Sequence, residues 1–219
     1  MSFTSTSIGG PAGRGHIAGS PTKGIVLIVG GAYSGKSAFV HRLLSDQSTA
    51  AVVGTGEPED EVAKRRITQL QSERPTRWKT FDRSVGLVEF LTEAIPGYQQ
   101  VAVDSINQWI AAEMVHGQAK YSEEHLEAHI EHCIGGLCRW LASRPAECVA
   151  LVSAEVGCSP APARPLERSF RRLLGGANCR LAQIADTVIT MNCGIPLVIK
   201  GKVTNTATTP SWQRSEELS

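Results

Sequence analysis

The sequence predicts an α/β domain with a mainly parallel sheet and helices on both faces. Short apolar runs such as Ile25–Val29 and Val101–Val103 alternate with longer helical patterns. This alternation is typical of parallel sheets whose strands are buried on both faces. The chain has 219 residues, of which 42% are hydrophobic, which suffices for one sizeable core. We expect a single domain over residues 24–203.

The elements follow one another in a regular order. Short, β-branched apolar runs predict strands at Ile25–Val29, Ala50–Val53, Val101–Val103, Cys148–Ser153, Thr187–Met191 and Leu197–Ile199. Patterns with helical periodicity or high charge predict helices at Ala38–Leu44, Glu59–Gln71, Val85–Ala94, Glu123–Ala142 and Leu166–Ala185. Residues 1–23 and 204–219 are polar and without periodicity, which predicts tails rather than further domains.

The first strand leads into a glycine-rich turn and then a helix. The spacing is Gly30, four residues, then Gly35-Lys36-Ser37. Glycines permit positive φ and leave room for an anion, so that backbone N–H groups converge on phosphate at a helix N-terminus. This is a P-loop pattern, in which Lys36 pairs with the β- and γ-phosphates and the Ser37 hydroxyl ligates Mg²⁺. The expected ATP- or GTP-binding residues of the turn are Gly30, Gly31, Ala32, Tyr33, Ser34, Gly35, Lys36 and Ser37.

The strand Val101–Val103 ends in Asp104. In such sheets an acidic residue at the end of a buried strand, next to the P-loop strand, holds Mg²⁺, usually through water. Because any strand can end in aspartate, this assignment depends on the P-loop. Together the two motifs predict a Mg²⁺ site at Ser37 and Asp104.

Composition and charge exclude several classes of partner. The formal net charge is +1, which gives no electrostatic basis for binding nucleic acid or a membrane surface. No apolar run approaches the ~20 residues of a membrane span, and no signal-peptide h-region is visible. We expect a cytoplasmic protein.

Cysteines and histidines give no strong metal signature. The six cysteines are scattered without a C-x-x-C pair, which predicts neither a disulfide scaffold nor a zinc site. His125, His129 and His132 would share one helix face and could hold a metal. Glutamates are interleaved with them, so a solvated, salt-bridged face is the favoured interpretation.

From about Gly24 to Gly201 the chain resembles the bifunctional adenosylcobinamide kinase / adenosylcobinamide-phosphate guanylyltransferase family of cobalamin biosynthesis and salvage. The resemblance depends on sparse landmarks in the right order over most of the chain. They are Gly30-Gly31-Ala32, Ser34-Gly35-Lys36-Ser37, Thr55, Asp60, Arg66-Ile67, Arg74-Pro75, Trp78, Asp104-Ser105, Leu151-Val152-Ser153, Glu155-Val156-Gly157, Arg168, Phe170-Arg171, Gly175, Asn178, Leu181-Ala182, Ala185-Asp186 and Gly194.

The resemblance implies a RecA-like P-loop NTPase that assembles as a homotrimer. It also implies two reactions: phosphorylation of the aminopropanol hydroxyl of adenosylcobinamide, then transfer of GMP from GTP to that phosphate. Thr55 joins the nucleotide-binding residues by the same resemblance, with Mg²⁺ as the cofactor.

In the family the second reaction passes through a guanylylated histidine in an Arg-Ile-x-x-His motif. Here the motif begins at Arg66-Ile67 and the histidine position is Leu70, which has no nucleophilic atom. Gln69 and Gln71 do not replace it, and recruitment of His41 or His125 would require a rebuilt site. The resemblance therefore predicts that the residues of the kinase activity are retained and that those of the guanylyltransferase activity are not.

Further departures lie around the acceptor. Tyr33 stands where the family usually has Arg, Ala154 where it has Asn, and Arg172 where it has Asp. Glu155, just after a strand, is expected at the phosphate edge of the sheet, where it could orient or deprotonate the acceptor hydroxyl. The alternative interpretation is that Glu155 is a capping or structural carboxylate.

Lys36, Asp104 and Glu155 are thus the predicted catalytic residues. Arg168 and Arg171 either contact phosphates or belong to a solvated helix face. Three functions stay open: a cobinamide-type kinase without the nucleotidyl step, a kinase for threonine or an amino alcohol of the same pathway, and a nucleotide-binding regulatory protein. Intact Lys36, Ser37 and Asp104 argue against the third.

Overall fold

The computed structural model describes residues 23–44, 46–56 and 61–201. Its strands are β1 (Gly24–Gly30), β2 (Ala50–Gly54), β3 (Trp78–Asp82), β4 (Gln100–Asp104), β5 (Cys148–Ala154), β6 (Thr187–Asn192) and β7 (Ile195–Lys200). Its helices are α1 (Lys36–Leu43), α2 (Glu61–Ser72), α3 (Leu87–Ala94), α4 (Ile106–Gln118), α5 (Glu123–Ala142) and α6 (Pro165–Ile184). In these ranges no helix is long and apolar enough to cross a bilayer.

The strands form one sheet in the order β3-β2-β4-β5-β1-β6-β7. All neighbouring pairs are parallel except β6 and β7, which are antiparallel. The predicted α/β fold with a mainly parallel sheet is therefore confirmed. One expectation was wrong: β4, which carries Asp104, is not next to β1, because β5 lies between them.

Two elements were missed by the sequence patterns. Strand β3 is at the sheet edge with mostly exposed side chains, so its sequence lacks an apolar run. Helix α4 buries Ile106, Trp109, Ile110 and Met114, a helical spacing that could have revealed it. The predicted tails at 1–23 and 204–219 lie outside the described residues, apart from Lys23.

The core has one layer on each face of the sheet. Alternate residues of β1 point to opposite sides: Ile25 and Leu27 pack with α3, α4, α5 and α6, whereas Val26 and Ile28 pack with α1. All four are at most 1% exposed. The carboxyl ends of β1, β5 and β4 consequently meet at one sheet edge, held there by buried apolar side chains on both faces.

Candidate active site

The turn between β1 and α1 is shaped by close packing against neighbouring strands. A Cβ atom on Gly30 would lie 2.5 Å from the Met191 carbonyl oxygen and 2.8 Å from Ser34 Oγ. Gly35 has a φ of 92°, a conformation that glycine adopts without strain. The Gly194 amide donates a hydrogen bond to the Ser34 carbonyl at 3.1 Å. The turn is thus fixed by β6 and by the β6–β7 connection before α1 begins.

Lys36 is held over this turn. Its Nζ donates hydrogen bonds to the carbonyl oxygens of Gly30 at 2.9 Å and Gly31 at 2.6 Å, and lies 3.5 Å from Ser34 Oγ. These contacts direct the ammonium group across the loop. A P-loop lysine in this position is available to phosphate oxygens that enter the loop.

A cavity of about 350 Å³ lies against the turn at the carboxyl edge of the sheet. It brings together Lys36, Ser37, Asp104 and Glu155, which come from three separate strand ends. Its lining also includes Ala32, Tyr33, Ser34 and Gly35 from the turn, and Ser105, Asn107 and Gln108 at the start of α4. The structure therefore places most of the predicted nucleotide-binding residues and all three predicted catalytic residues at one cavity.

Three predicted nucleotide-binding residues lie apart from this lining. Gly30 and Gly31 instead supply the carbonyl groups that hold Lys36. Thr55 is only 1% exposed, and its hydroxyl donates to the Ser105 carbonyl at 2.5 Å while accepting from the Ser105 amide at 2.7 Å. These two hydrogen bonds clamp the β4–α4 junction, and the contact of Thr55 with nucleotide stays a prediction.

The oxygen atoms of the cavity suit the predicted magnesium ion. Ser37, with its hydroxyl, and Asp104, with its carboxylate, both line it. Asn107 also lines it, and its Oδ1 atom is buried without a hydrogen-bond partner among the described residues. Hard oxygen ligands of this kind are those that Mg²⁺ prefers, so the donor set fits the ion.

A half-buried arginine, Arg74, lies close enough to Asp104 for their charges to interact. Burial lowers the pKa of Arg74, while the carboxylates of Asp104 and Asp82 raise it. The Arg74 Nε donates to His41 Nε2 at 3.3 Å. Burial, and then the Arg74 charge, lower the pKa of His41 to about 4. His41 is therefore neutral at neutral pH, with Nε2 as the acceptor.

A second cavity of about 420 Å³ adjoins the first and shares Glu155 and Val156 with it. Three arginine side chains of α6 are among its lining: Arg168, Arg171 and Arg172. Both cavities therefore border Glu155, and the second lies beside the cavity at the phosphate loop.

Two arginines of the second cavity also donate hydrogen bonds to backbone carbonyl groups of the segment that precedes α6. Arg168 donates to the Pro162 carbonyl at 3.2 Å, and Arg171 donates to the Gly157 carbonyl. Arg172 forms an ion pair with Glu127 of α5. A hydrogen bond from Ser169, and then the contact with Arg172, lower the pKa of Glu127. The segment 156–164 is thereby fastened to α6.

Glu155 and Asn178 shape the end of β5. The Glu155 carboxylate accepts a hydrogen bond from the Gly157 amide, as a structural carboxylate would, and it also lines both cavities. Asn178 accepts from Ser153 Oγ at 2.6 Å and donates to the Ala154 carbonyl at 3.0 Å. Asn178 thus positions the strand end from which Glu155 projects.

Histidine is missing from the described residues that line the two cavities. Leu70 is half-buried on α2. The Nε2 of His41 accepts a hydrogen bond from Arg74. The Nδ1 of His125 lies 2.7 Å from Ser122 Oγ at the start of α5. Neither of these histidines lies at the phosphate loop cavity.

Sequence reasoning assigned no role to Asn107, Gln108 and Asn178. The first two were overlooked because α4 itself was not predicted. Asn178 was noticed as a landmark, but its function depends on a contact between α6 and β5 that no local pattern reveals.

Comparison with known proteins agrees with the family resemblance seen in the sequence. A profile of the family described as "Cobinamide kinase / cobinamide phosphate guanyltransferase" matches residues 26–199. The bifunctional adenosylcobalamin biosynthesis protein CobU of Escherichia coli (strain K12) is 29% identical over 180 residues, covering 80% of this chain and 99% of that protein. CobP of Pseudomonas aeruginosa is 27% identical over 177 residues, covering 80% and 97% respectively.

CobU of Salmonella typhimurium is 28% identical over 180 residues, which cover 80% of this chain and 99% of that protein. Among solved structures, an ATPase from the type III secretion system of pathogenic bacteria is similar with a TM-score of 0.48 and 11% identity. That match covers 77% of this chain and 52% of the ATPase chain.

Proposed function

This chain belongs to the cobinamide kinase / cobinamide phosphate guanyltransferase family, and from that premise we propose that it is a kinase without the guanylyl-transfer step. Its proposed reaction transfers the γ-phosphoryl group of ATP or GTP to the hydroxyl of adenosylcobinamide. The observation that carries this proposal is the convergence of Lys36, Ser37, Asp104 and Glu155 on one cavity.

Phosphoryl transfer requires no covalent enzyme intermediate, since catalysis depends mainly on positioning and charge stabilisation. In the proposed mechanism the turn amides and Lys36 bind the β- and γ-phosphates. Ser37 and Asp104 would hold Mg²⁺, which neutralises phosphate charge when bound. Glu155, at the junction of the two cavities, orients the acceptor hydroxyl or accepts its proton.

The guanylyl step is proposed to be lost because its nucleophile has no replacement. Leu70 occupies the histidine position, and a hydrocarbon side chain cannot form the phosphoramidate bond. The Nε2 of His41 accepts a hydrogen bond from Arg74, and His41 is not among the residues that line either cavity. These observations support a protein that makes the phosphate ester and leaves nucleotidyl transfer to another enzyme.

A second candidate is a kinase for threonine or an amino alcohol. Three arginines line the adjoining cavity, and arginine is well suited to bind a carboxylate in two-point contacts. Threonine carries a carboxylate next to its amine-bearing carbon, whereas the aminopropanol arm of cobinamide has none. Within this second candidate, the arginines therefore favour threonine over an amino alcohol without a carboxylate.

The family resemblance also supports a homotrimer. The edge strand β7 exposes Ile195, Leu197 and Ile199, whose exposed fractions are 55%, 60% and 64%. Burial of such an apolar edge between subunits would remove these side chains from water. Light scattering of the purified protein tests this assembly directly.

The kinase proposal is tested with purified protein, Mg²⁺ and γ-labelled ATP or GTP. Adenosylcobinamide, L-threonine and 1-amino-2-propanol are supplied in separate reactions, and the labelled products are separated by chromatography. Transfer to adenosylcobinamide supports the main proposal, and transfer to threonine or aminopropanol supports the second. Tight nucleotide binding without transfer to any of the three would contradict both and indicate a regulatory protein.

A further inference from the structure

A cluster of three metal-binding side chains lies away from both cavities, between α4 and α5. Its members are Glu113 of α4, with His129 and Cys133 of α5. One ligand atom from each residue lies within 4.8 Å of the others. His129 and Cys133 are four residues apart, so they share one face of α5. None of the three lines the nucleotide or acceptor cavity.

Glu113 is an unusually placed carboxylate, because it is only 6% exposed. Its Oε1 accepts hydrogen bonds from the Gly86 amide at 2.7 Å and from Trp109 Nε1 at 3.1 Å. These two donors fix the carboxylate and leave Oε2 directed at His129, 3.7 Å from its Nε2. Orientation of a ligand by hydrogen bonds from surrounding groups is typical of metal sites.

The imidazole is placed between the other two ligand atoms. His129 Nε2 lies 3.7 Å from Cys133 Sγ as well as 3.7 Å from Glu113 Oε2. The ring stacks on Tyr121 with centroids 5.0 Å apart, which restricts its orientation. The same nitrogen therefore faces both an oxygen and a sulfur ligand.

The two 3.7 Å separations from His129 Nε2 are close to the edges of a tetrahedral metal site. Zn–N, Zn–O and Zn–S bonds of about 2.0 to 2.3 Å give ligand-to-ligand distances of roughly 3.3 to 3.6 Å at tetrahedral angles. A closure of a few tenths of an ångström would bring the two separations from His129 to that spacing. The ligand atoms of Glu113 and Cys133 lie within 4.8 Å of each other, so this pair would have to approach by up to about 1.3 Å. A sulfur, an imidazole and a carboxylate together suit Zn²⁺ rather than Mg²⁺.

We propose that Glu113, His129 and Cys133 bind one zinc ion, whose fourth position is open to water. The His129 side chain is 31% exposed, which provides a route from solvent. Burial and the carboxylates of Glu113 and Glu89 raise the pKa of Cys133 to about 11, and the same negative charges attract a cation. Zinc displaces the thiol proton to solvent on binding and links α4 to α5.

This site differs from the zinc signatures that the sequence analysis excluded. Its ligands come from two helices, with one cysteine and one histidine on the same helix. A search for paired cysteines therefore cannot detect it. The ion is proposed to stabilise the helical layer beneath the catalytic edge and to take no part in phosphoryl transfer.

The test uses Co²⁺ as a spectroscopic substitute for zinc, with the reduced full-length chain and no nucleotide. We expect one equivalent to bind with a thiolate-to-cobalt charge-transfer band, and added Zn²⁺ to abolish that band. Cys133→Ser should remove the band, whereas His129→Gln and Glu113→Gln should weaken Co²⁺ binding at least about tenfold. Cys138→Ser is the matched control on α5 and should leave the titration unchanged.

Thermal unfolding gives an independent measurement. Zn²⁺ should raise the midpoint of the wild-type protein and of Cys138→Ser, because the ion binds the folded state, and should not raise that of Cys133→Ser or His129→Gln. Should Glu113→Gln fail to fold, the other two variants still decide the matter. Absence of the charge-transfer band at saturating Co²⁺, or full affinity in either folded ligand variant, would overturn the proposal.

Discussion

Replacement of Lys36 by alanine should nearly abolish turnover while leaving the fold intact. The side chain contributes hydrogen bonds to the Gly30 and Gly31 carbonyls, each worth about 1 kcal/mol net. Because Gly31 is exposed at its turn, water replaces part of this loss, and we expect a destabilisation of about 1 kcal/mol. The proposed contact with the transferring phosphoryl group is worth more, about 3 to 4 kcal/mol, or two to three powers of ten in kcat.

The assay measures nucleoside diphosphate release with a coupled enzyme, alongside urea unfolding of the same preparation. Lys64→Ala is the matched control, because Lys64 is an exposed lysine of α2 whose Nζ lies 3.6 Å from the Glu61 carboxylate of the same helix. Its turnover should equal that of the wild type. Undiminished turnover in Lys36→Ala, or equal losses in both variants, would refute the role given to the P-loop lysine.

Three further outcomes follow from other contacts. Asn178→Ala leaves the buried Ser153 hydroxyl without its acceptor, which should lower the free energy of unfolding by about 1 to 3 kcal/mol in urea titrations; an unchanged midpoint would contradict this. The pKa of His41 is lowered from 6.5 to about 4 in the folded protein. The free energy of unfolding should therefore fall by about 2 kcal/mol, after allowance for partial exposure, as the pH is lowered from 6.5 towards 4. In His41→Gln the free energy of unfolding should depend less steeply on pH over this range. Deletion of residues 1–23 should leave kcat unchanged in the kinase assay, because that segment lacks apolar periodicity; an inactive truncated protein would show that it contributes to the site.

The sequence was most informative where structure depends on local spacing. The P-loop strand, turn and helix follow from Gly30, Gly35 and the apolar run before them, because backbone conformation and burial there depend on neighbouring residues. Asp104 was correctly placed at a strand end that faces the same cavity. These features need no knowledge of distant contacts.

The strand order and the walls of the second cavity could not be predicted in the same way. Insertion of β5 between β1 and β4 depends on the packing of elements far apart in the chain. Thr55 illustrates the limit: the family resemblance places it among the nucleotide-binding residues, but no local pattern shows that its hydroxyl bonds the Ser105 backbone. The Asn178 contact with β5 likewise requires α6 to be in place.

The central claim is that the chain transfers a phosphoryl group without forming a covalent nucleotide intermediate. Incubation with α-labelled GTP and Mg²⁺, followed by mass spectrometry of the denatured protein, tests this most directly. A family member with the Arg-Ile-x-x-His motif serves as the positive control. We predict phosphorylated acceptor with no GMP adduct on this chain, since Leu70 occupies the histidine position. A stoichiometric GMP adduct on any histidine would contradict the account and restore the bifunctional assignment.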